Sequence, residues 1–219
     1  KAYKSLADVP ETPDVALLAV PAGLTEQAVR ECVARGVRAA VIFSAGYAES
    51  GGEGLAIQKR ITDIARSGGL RLLGPNCLGV FNPQTGFFGT FTQSLDREMP
   101  HAGPLGIVSQ SGAYGSHIAY LARQRGIGIN YWITTGNEAD VDVAESLEWM
   151  AAQPDIKVIM AYVEGVRDGE RFRRALALAQ KNRKPVVMMK VGRSEIGARA
   201  ASSHTASLAG SDAIYDALF

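Results

Sequence analysis

Short, continuously apolar runs alternate along this chain with segments of helical period, and glycine residues punctuate the changes. The first group contains three apolar runs and two helical segments, at 14–21, 24–35, 37–44, 55–67 and 70–73. Apolar runs of this length are typical of strands in parallel sheets that helices cover on both faces. The pattern therefore predicts an α/β fold with a parallel sheet.

The alternation restarts after a different segment. Residues 74–100 are rich in turn residues and aromatics, so we expect loop and short extended pieces there, ending in a linker around 96–103. The second group has predicted strands at 105–109, 128–134, 157–163 and 185–191, and helices at 113–124, 141–152 and 168–181. We interpret it as a doubly wound, flavodoxin-like sheet of four strands. The predicted domains are 1–97 and 103–219. The first has few strands, which suggests that the sequence is a piece of a longer chain.

The amino-acid composition restricts the kinds of partner that the protein can bind. The formal net charge is +1, from 23 Lys and Arg against 22 Asp and Glu. This balance gives no field that would favour nucleic acid or an anionic membrane. No apolar run approaches the roughly 20 residues of a membrane helix. The two cysteines lie in unrelated contexts, and the histidines and carboxylates show no metal-ligand spacing such as HExxH, so we expect no metal site and a cytoplasmic location.

Small and polar residues follow the predicted strands of the second group. The first strand leads through Ser109-Gln110-Ser111-Gly112 directly into a helix, the second into 135–138, and the third into Glu164-Gly165. Ligands of open parallel sheets bind at this edge. The first turn can be an anion cradle at a helix N-terminus, or only an N-cap and a tight turn, and the pattern leaves both open.

His204 lies beyond the fourth strand, among small hydroxyl and alanine residues. A nucleophilic imidazole that approaches a phosphate needs small neighbours, and Glu164 could accept a hydrogen bond from its second ring nitrogen. A histidine that caps a helix or lies on a loop is the alternative, and topology alone does not separate the two.

Several motifs carry a resemblance over nearly the whole chain. They are LGPNCLG at 73–79, GPLGIVSQSG at 103–112, GNEAD at 136–140, YVEG at 162–165, SHT at 203–205 and LAG at 208–210. In this order they resemble the NDP-forming acyl-CoA synthetases, relatives of the succinyl-CoA synthetase α subunit. The resemblance implies a partial Rossmann-like CoA-binding domain followed by a succinyl-CoA ligase-like flavodoxin domain.

The resemblance also implies roles for individual residues. His204 corresponds to the transiently phosphorylated histidine, and Glu164 to the carboxylate that orients it. The phosphate-binding helix N-terminus corresponds to Ser111, Gly112 and Ala113. The expected CoA contacts are Val20, Pro21, Phe43, Ser44, Asn76 and Cys77, with the last two near the thiol end. For Cys77, a small buried thiol in a tight turn is the alternative interpretation.

The implied reaction is acid + CoA + ATP giving acyl-CoA + ADP + phosphate, reversibly. The family's N-terminal strand and Gly-rich loop are absent before Lys1, and so is the ATP-grasp partner that binds ATP or ADP with Mg²⁺. We therefore expect an oligomeric assembly and no complete reaction by this chain alone. A CoA-sensing module of a larger protein, such as a protein acetyltransferase, and a flavodoxin-like electron carrier are the alternatives.

Overall fold

The first group of elements forms a small parallel sheet. The computed structural model describes residues 1–96 and 98–192. The elements of this sheet are β1 (Val15–Leu18), α1 (Ala22–Arg35), β2 (Ala39–Ile42), α2 (Gly52–Ser67) and β3 (Arg71–Leu73). The strands lie in the order β1-β2-β3. The observed ends lie within three residues of the predicted ones.

Both helices of this sheet pack on the same face. Because strand order follows chain order, two right-handed crossovers place α1 and α2 on one side. There Val29 and Ile61 belong to one core with Ile42 and Leu72. On the other face, Leu17 of β1 is 45% exposed among the described residues. The expectation that this strand is covered on both faces is therefore wrong for the part of the chain that the structure describes.

The second group forms a six-stranded sheet. Its elements are β4 (Gly79–Asn82), β5 (Phe87–Thr90), β6 (Ala102–Ser109), α3 (Gly112–Gln124), β7 (Ile129–Thr134), α4 (Val143–Ala152), β8 (Val158–Val163), α5 (Gly169–Lys181) and β9 (Val186–Lys190). The order is β5-β4-β7-β6-β8-β9. The four predicted strands, β6 to β9, are its parallel part, which confirms the doubly wound α/β prediction.

The other two strands form an antiparallel hairpin that the sequence analysis did not predict as part of this sheet. β4 pairs with β5 and also, antiparallel, with β7. Phe81 lies opposite Trp132, and their rings stack with centroids 4.9 Å apart. By its hydrogen bonds, residues 79–90 extend the second sheet, although they precede the linker. The division at 97 and 103 stays a proposal.

The two sheets meet where the loop after β3 runs beside the loop after β7. The main-chain N–H of Asn137 donates to the carbonyl of Pro75 and that of Ala139 to Gly74, both at 2.9 Å. Gly136 has a φ of +57°, and a Cβ there would lie 2.3 Å from the carbonyl oxygen of Pro75. Glycine is needed because the neighbouring backbone occupies the space of a side chain. This contact brings the ends of both sheets to one place.

Candidate functional site

The first wall of the site is the N-terminus of α3. Ser111 caps the helix, since its side chain accepts a hydrogen bond from the N–H of Tyr114 at 3.3 Å. A Cβ on Gly112 would lie 2.6 Å from Cγ of Leu78, so only glycine fits without displacing that side chain. The first N–H groups of a helix have no acceptor within the helix and lie at its positive end. The turn is thus an N-cap, as one interpretation holds, and its helix end is also able to hold an anion.

The opposite wall is the loop after β3. Asn76 has a left-handed φ of 56° and donates from Nδ2 to Oδ1 of Asn137 at 3.2 Å. Its main-chain N–H donates to the carbonyl of Ser44 at 2.9 Å. These contacts join the loop to the other sheet and to the end of β2, so the position of Asn76 is fixed from two sides.

Cys77 lies in the same loop with its thiol turned inwards. It is buried, and Sγ contacts the carbonyl oxygen of Ile42 at 3.5 Å. Burial raises the pKa of the Cys77 thiol to about 12. The group therefore stays protonated at neutral pH, as the interpretation of a small buried thiol in a tight turn requires.

A cavity of about 240 Å³ lies between these walls. It is lined by Phe43, Asn76, Cys77, Leu78, Phe91, Gln110, Gly112 and Ala113. The rings of Phe43 and Phe91 meet edge to face, with centroids 5.1 Å apart. Five residues that the sequence analysis selected thus line one cavity, three for CoA and two for phosphate.

Three other predicted CoA contacts lie outside the lining of this cavity. Val20 and Pro21 follow the end of β1, and the carbonyl of Pro21 accepts hydrogen bonds from Leu24 and Thr25 at the start of α1. Ser44 follows β2 and its hydroxyl lies 3.0 Å from that of Tyr47. All three are at the carboxyl ends of their strands, the edge at which ligands of such sheets bind.

Glu164 lies at the end of β8, where Gln110 holds it. Glu164 is 1% exposed, and its main-chain N–H donates to Oε1 of Gln110. The same oxygen accepts from the N–H of Gly165 at 3.1 Å, and Nε2 of Gln110 donates to the carbonyl of Gly165 at 2.7 Å. The sequence analysis placed Gln110 in the turn but gave it no role of its own. Its only signal was a long polar side chain among small residues.

A second buried carboxylate supports this arrangement. Glu138 accepts hydrogen bonds from Oγ1 of Thr135 at 2.9 Å and from the N–H of Val143 at 2.8 Å. Burial raises its pKa to about 7, although hydrogen bonds from Gln110 and Thr135 act in the opposite direction. Nε of Arg167 lies 3.9 Å from its carboxylate. Glu138 is therefore a buried carboxyl group that keeps its proton to a higher pH than an exposed glutamate does.

His204 lies outside the described residues, so its place relative to Glu164 and Ser111 stays a prediction. Among residues 1–96 and 98–192, no group of three His, Cys, Asp or Glu side chains is arranged to hold a metal ion. None of the helices in this part of the chain has the length and hydropathy needed to cross a bilayer.

Two family models match the chain. The model of the succinyl-CoA ligase-like flavodoxin domain matches residues 102–219, and that of a CoA-binding domain matches residues 1–83. The first covers more than half of the 219 residues.

Relatives match over the whole chain. The chain is 41% identical to the α subunit of acetate–CoA ligase [ADP-forming] II from Pyrococcus furiosus, over 100% of its own length and 47% of the relative's. It is 37% identical to 4-hydroxybutyrate–CoA ligase [ADP-forming] from Nitrosopumilus maritimus, over 100% of its own length and 31% of the relative's. The chain thus spans less than half the length of these curated relatives.

A solved structure has the same fold. Acetyl-coenzyme A synthetase 1 from Ca. Korarchaeum cryptofilum, in complex with phosphate and ADP, superposes with a TM-score of 0.88 at 35% identity. The match covers 100% of this chain and 46% of that one. The predicted resemblance is confirmed by sequence, by domain models and by fold. The chain belongs to the NDP-forming acyl-CoA synthetases, the family related to the succinyl-CoA synthetase α subunit.

Proposed function

We propose that this chain is the CoA-binding and phosphohistidine portion of an ADP-forming acyl-CoA synthetase. The reaction is acid + CoA + ATP giving acyl-CoA + ADP + phosphate, and it is reversible. The observation that carries the proposal is the cavity in which Asn76 and Cys77 face the α3 N-terminus at Gly112 and Ala113. An acyl phosphate held there has its acyl end beside the CoA loop and its phosphoryl end on the helix dipole.

The phosphoryl group moves in two transfers. In the ATP-forming direction, inorganic phosphate first attacks the acyl carbon of acyl-CoA, so that acyl phosphate forms and CoA leaves as the thiol with the proton that the phosphate releases. Neutral His204 then attacks the phosphorus of the acyl phosphate, so that an N–P bond forms, the P–O bond to the acyl group breaks, and the carboxylate leaves. The phosphohistidine then transfers its phosphoryl group to ADP. In both transfers Glu164 accepts a hydrogen bond from the other ring nitrogen and fixes the tautomer.

The assembly needs components beyond this chain. An ATP-grasp domain or subunit binds ATP or ADP with Mg²⁺, in keeping with the ligase relatives of which the chain spans less than half. We infer an oligomer for the same reason. A cytoplasmic location is supported by Cys32 and Cys77, which are both unpaired and buried.

The experiment is labelling of the whole protein, with its ATP-grasp partner, by acetyl phosphate carrying radioactive phosphorus. We expect acid-labile protein-bound label that His204→Ala abolishes and that the exposed-site control His101→Ala retains. CoA affinity, measured by calorimetry, should be the same in all three proteins. Unchanged label in His204→Ala would refute the proposal. CoA binding with no label in the unsubstituted protein would favour the CoA-sensing module, and flavin absorbance bands the electron carrier.

A further inference from the structure

Gln110 uses its whole side-chain amide to hold one turn. The side chain is 2% exposed. Its oxygen accepts from the N–H groups of Glu164 and Gly165, and its nitrogen donates to the carbonyl of Gly165. These partners lie up to 55 residues away along the chain, so the contacts fix one strand end against another.

Only a carboxamide of this length satisfies all of these partners. Two N–H groups need an acceptor and a carbonyl needs a donor, and Gln offers both from one planar group. Glutamate would keep the acceptor but lose the donor to the carbonyl of Gly165. Methionine has a similar volume but leaves buried backbone groups without partners, which is the costly way to lose a hydrogen bond.

The position of Gln110 connects the two parts of the proposed chemistry. It immediately precedes Ser111 at the α3 N-terminus, and it lines the cavity. We propose that Gln110 is a positioning residue for phosphoryl transfer: it fixes the Glu164–Gly165 turn against the α3 N-terminus, so that Glu164 meets His204 where the phosphate is bound. This inference rests on the proposed function of His204 and Glu164, and it assigns Gln110 no contact with the reacting atoms.

The test is a double-mutant cycle with Glu164→Gln, in the whole protein with its ATP-grasp partner. The readout is the initial rate of labelling by acetyl phosphate. We expect Gln110→Met alone to lower the rate by about 10- to 100-fold, the range for misplacing a catalytic group by an ångström, with the CoA dissociation constant unchanged. In the Glu164→Gln background the same change should cost less than about 3-fold, because a residue that acts through Glu164 has nothing left to position.

Gln58→Met is the matched control. Gln58 is also buried, and its Oε1 accepts from the N–H of Ala48 at 3.2 Å and from Nδ2 of Asn137 at 3.0 Å. Its substitution removes a buried amide without touching Glu164, so its effect on the rate should be the same in both backgrounds.

Gln110→Glu provides a second test if Gln110→Met does not fold. It keeps an acceptor for the two N–H groups but loses the donor to the carbonyl of Gly165, and we expect the same non-additivity with a loss of the same order. An unchanged rate, or equal losses in both backgrounds for whichever Gln110 variant folds, would overturn the inference and leave the proposed function standing. A complete lack of label in the unsubstituted protein would overturn the proposed function and the inference with it.

Discussion

Burial gives Glu138 a protonation equilibrium that couples folding to pH. Its pKa is raised from 4.5 to about 7 in the folded protein, because burial disfavours the charged form. Below pH 4.5 the carboxyl is protonated in both states. Between pH 4.5 and 7 the unfolded chain releases the proton while the folded protein keeps it. The contribution of Glu138 to stability therefore falls as the pH rises through this interval.

We predict that Glu138→Gln removes this part of the pH dependence. The free energy of unfolding of the variant, relative to the unsubstituted protein, should rise by about 3 kcal/mol from pH 4.5 to 7, following a pKa shift of that size. Urea unfolding at several pH values measures it. A constant difference between the two proteins would contradict the prediction.

Glu49→Gln should give the opposite sign. Burial alone would raise the pKa of Glu49, but hydrogen bonds from the side chain of Asn137 and the N–H groups of Gly46 and Tyr47 outweigh it and hold the pKa below 4.5. The stability that Glu49 contributes is present above pH 4.5 and is lost as the pH falls through its lowered pKa. The variant should lose this acid sensitivity in the same unfolding series.

The candidate site is only partly predictable at this scale. Gly112 was found because its turn follows a strand at the sheet edge where ligands bind, and Asn76 because the resemblance to a family assigned it to the CoA contacts. The role of Gln110 was not found from the sequence. Its partners are 54 and 55 residues away, and a hydrogen bond between the ends of two strands leaves no local pattern in the sequence. Nor does a local pattern indicate that Glu138 is buried.

Helices α3, α4 and α5 begin at side chains that cap them, and α3 also has its N-terminal residues Gly112 and Ala113 in the lining of the cavity. Ser111 caps α3, and Asp168 caps α5 through a 2.8 Å hydrogen bond to the N–H of Arg171. Removing a cap of either kind costs about 1 kcal/mol of stability. Substitution of the two caps therefore distinguishes an effect on stability, which both should have, from an effect on activity, which only the α3 cap should have.

We predict that Ser111→Ala and Asp168→Ala lower the melting temperature to a similar extent. Only Ser111→Ala should also slow labelling by acetyl phosphate, by about five-fold, because fraying of the first turn disperses the N–H groups that we propose hold phosphate. Thermal denaturation and labelling rates measure the two effects. Equal labelling by both variants would show that the α3 N-terminus does not bind the phosphoryl group.

Strands and helices of the parallel sheets followed from apolar runs and helical period alone. The β4–β5 hairpin did not, because glycine and turn residues divide its segment and leave no continuous apolar run. Its place in the sheet depends on the contact of Phe81 with Trp132, which lies in a distant segment. The exposed Leu17 was missed for a related reason, since an apolar run does not reveal on which face the helices pack.

The two sheets are joined by a buried polar cluster around Asn137. Its Nδ2 donates to Oε1 of Gln58 at 3.0 Å and to the carboxylate of Glu49, while its Oδ1 accepts from Asn76. Asn137 is 1% exposed. A buried polar group that loses its partner lowers the free energy of unfolding by more than the hydrogen bond had contributed to it.

We predict that Asn137→Ala lowers the stability of the first sheet by roughly 2 kcal/mol and separates its unfolding from that of the second. Calorimetry should show one transition for the unsubstituted protein and two for the variant. A single transition that moves as a whole would contradict the prediction.

Arg71→Met is the control at the same interface. Arg71 pairs with Asp140 at 2.8 Å and Glu145 at 2.9 Å, but its side chain is 51% exposed. Exposed ion pairs contribute between 0 and about 1 kcal/mol, less at high salt. This variant should therefore unfold in one calorimetric transition. Its small loss of stability should disappear when salt is added.

The arrangement of the two sheets could not be derived from topology, which orders strands within each sheet only. The resemblance to a family supplied the CoA contacts and the phosphate-binding residues separately, and the cavity between Phe43 and Ala113 places residues of both kinds together. The physical cause is the main-chain pairing of the two loops at Pro75 and Asn137, which neither segment encodes by itself.

The close packing at Gly136 restricts which substitutions such a protein can accept during evolution. Any side chain there would collide with the carbonyls of Pro75 and Asn76, at 2.3 and 2.4 Å. A mutation that shifts one loop must therefore shift the other by the same amount. In the proposed reaction, the distance between the CoA loop and the phosphate-binding helix end is therefore expected to stay constant among related enzymes. A change of acid would then require substitutions in the walls of the cavity.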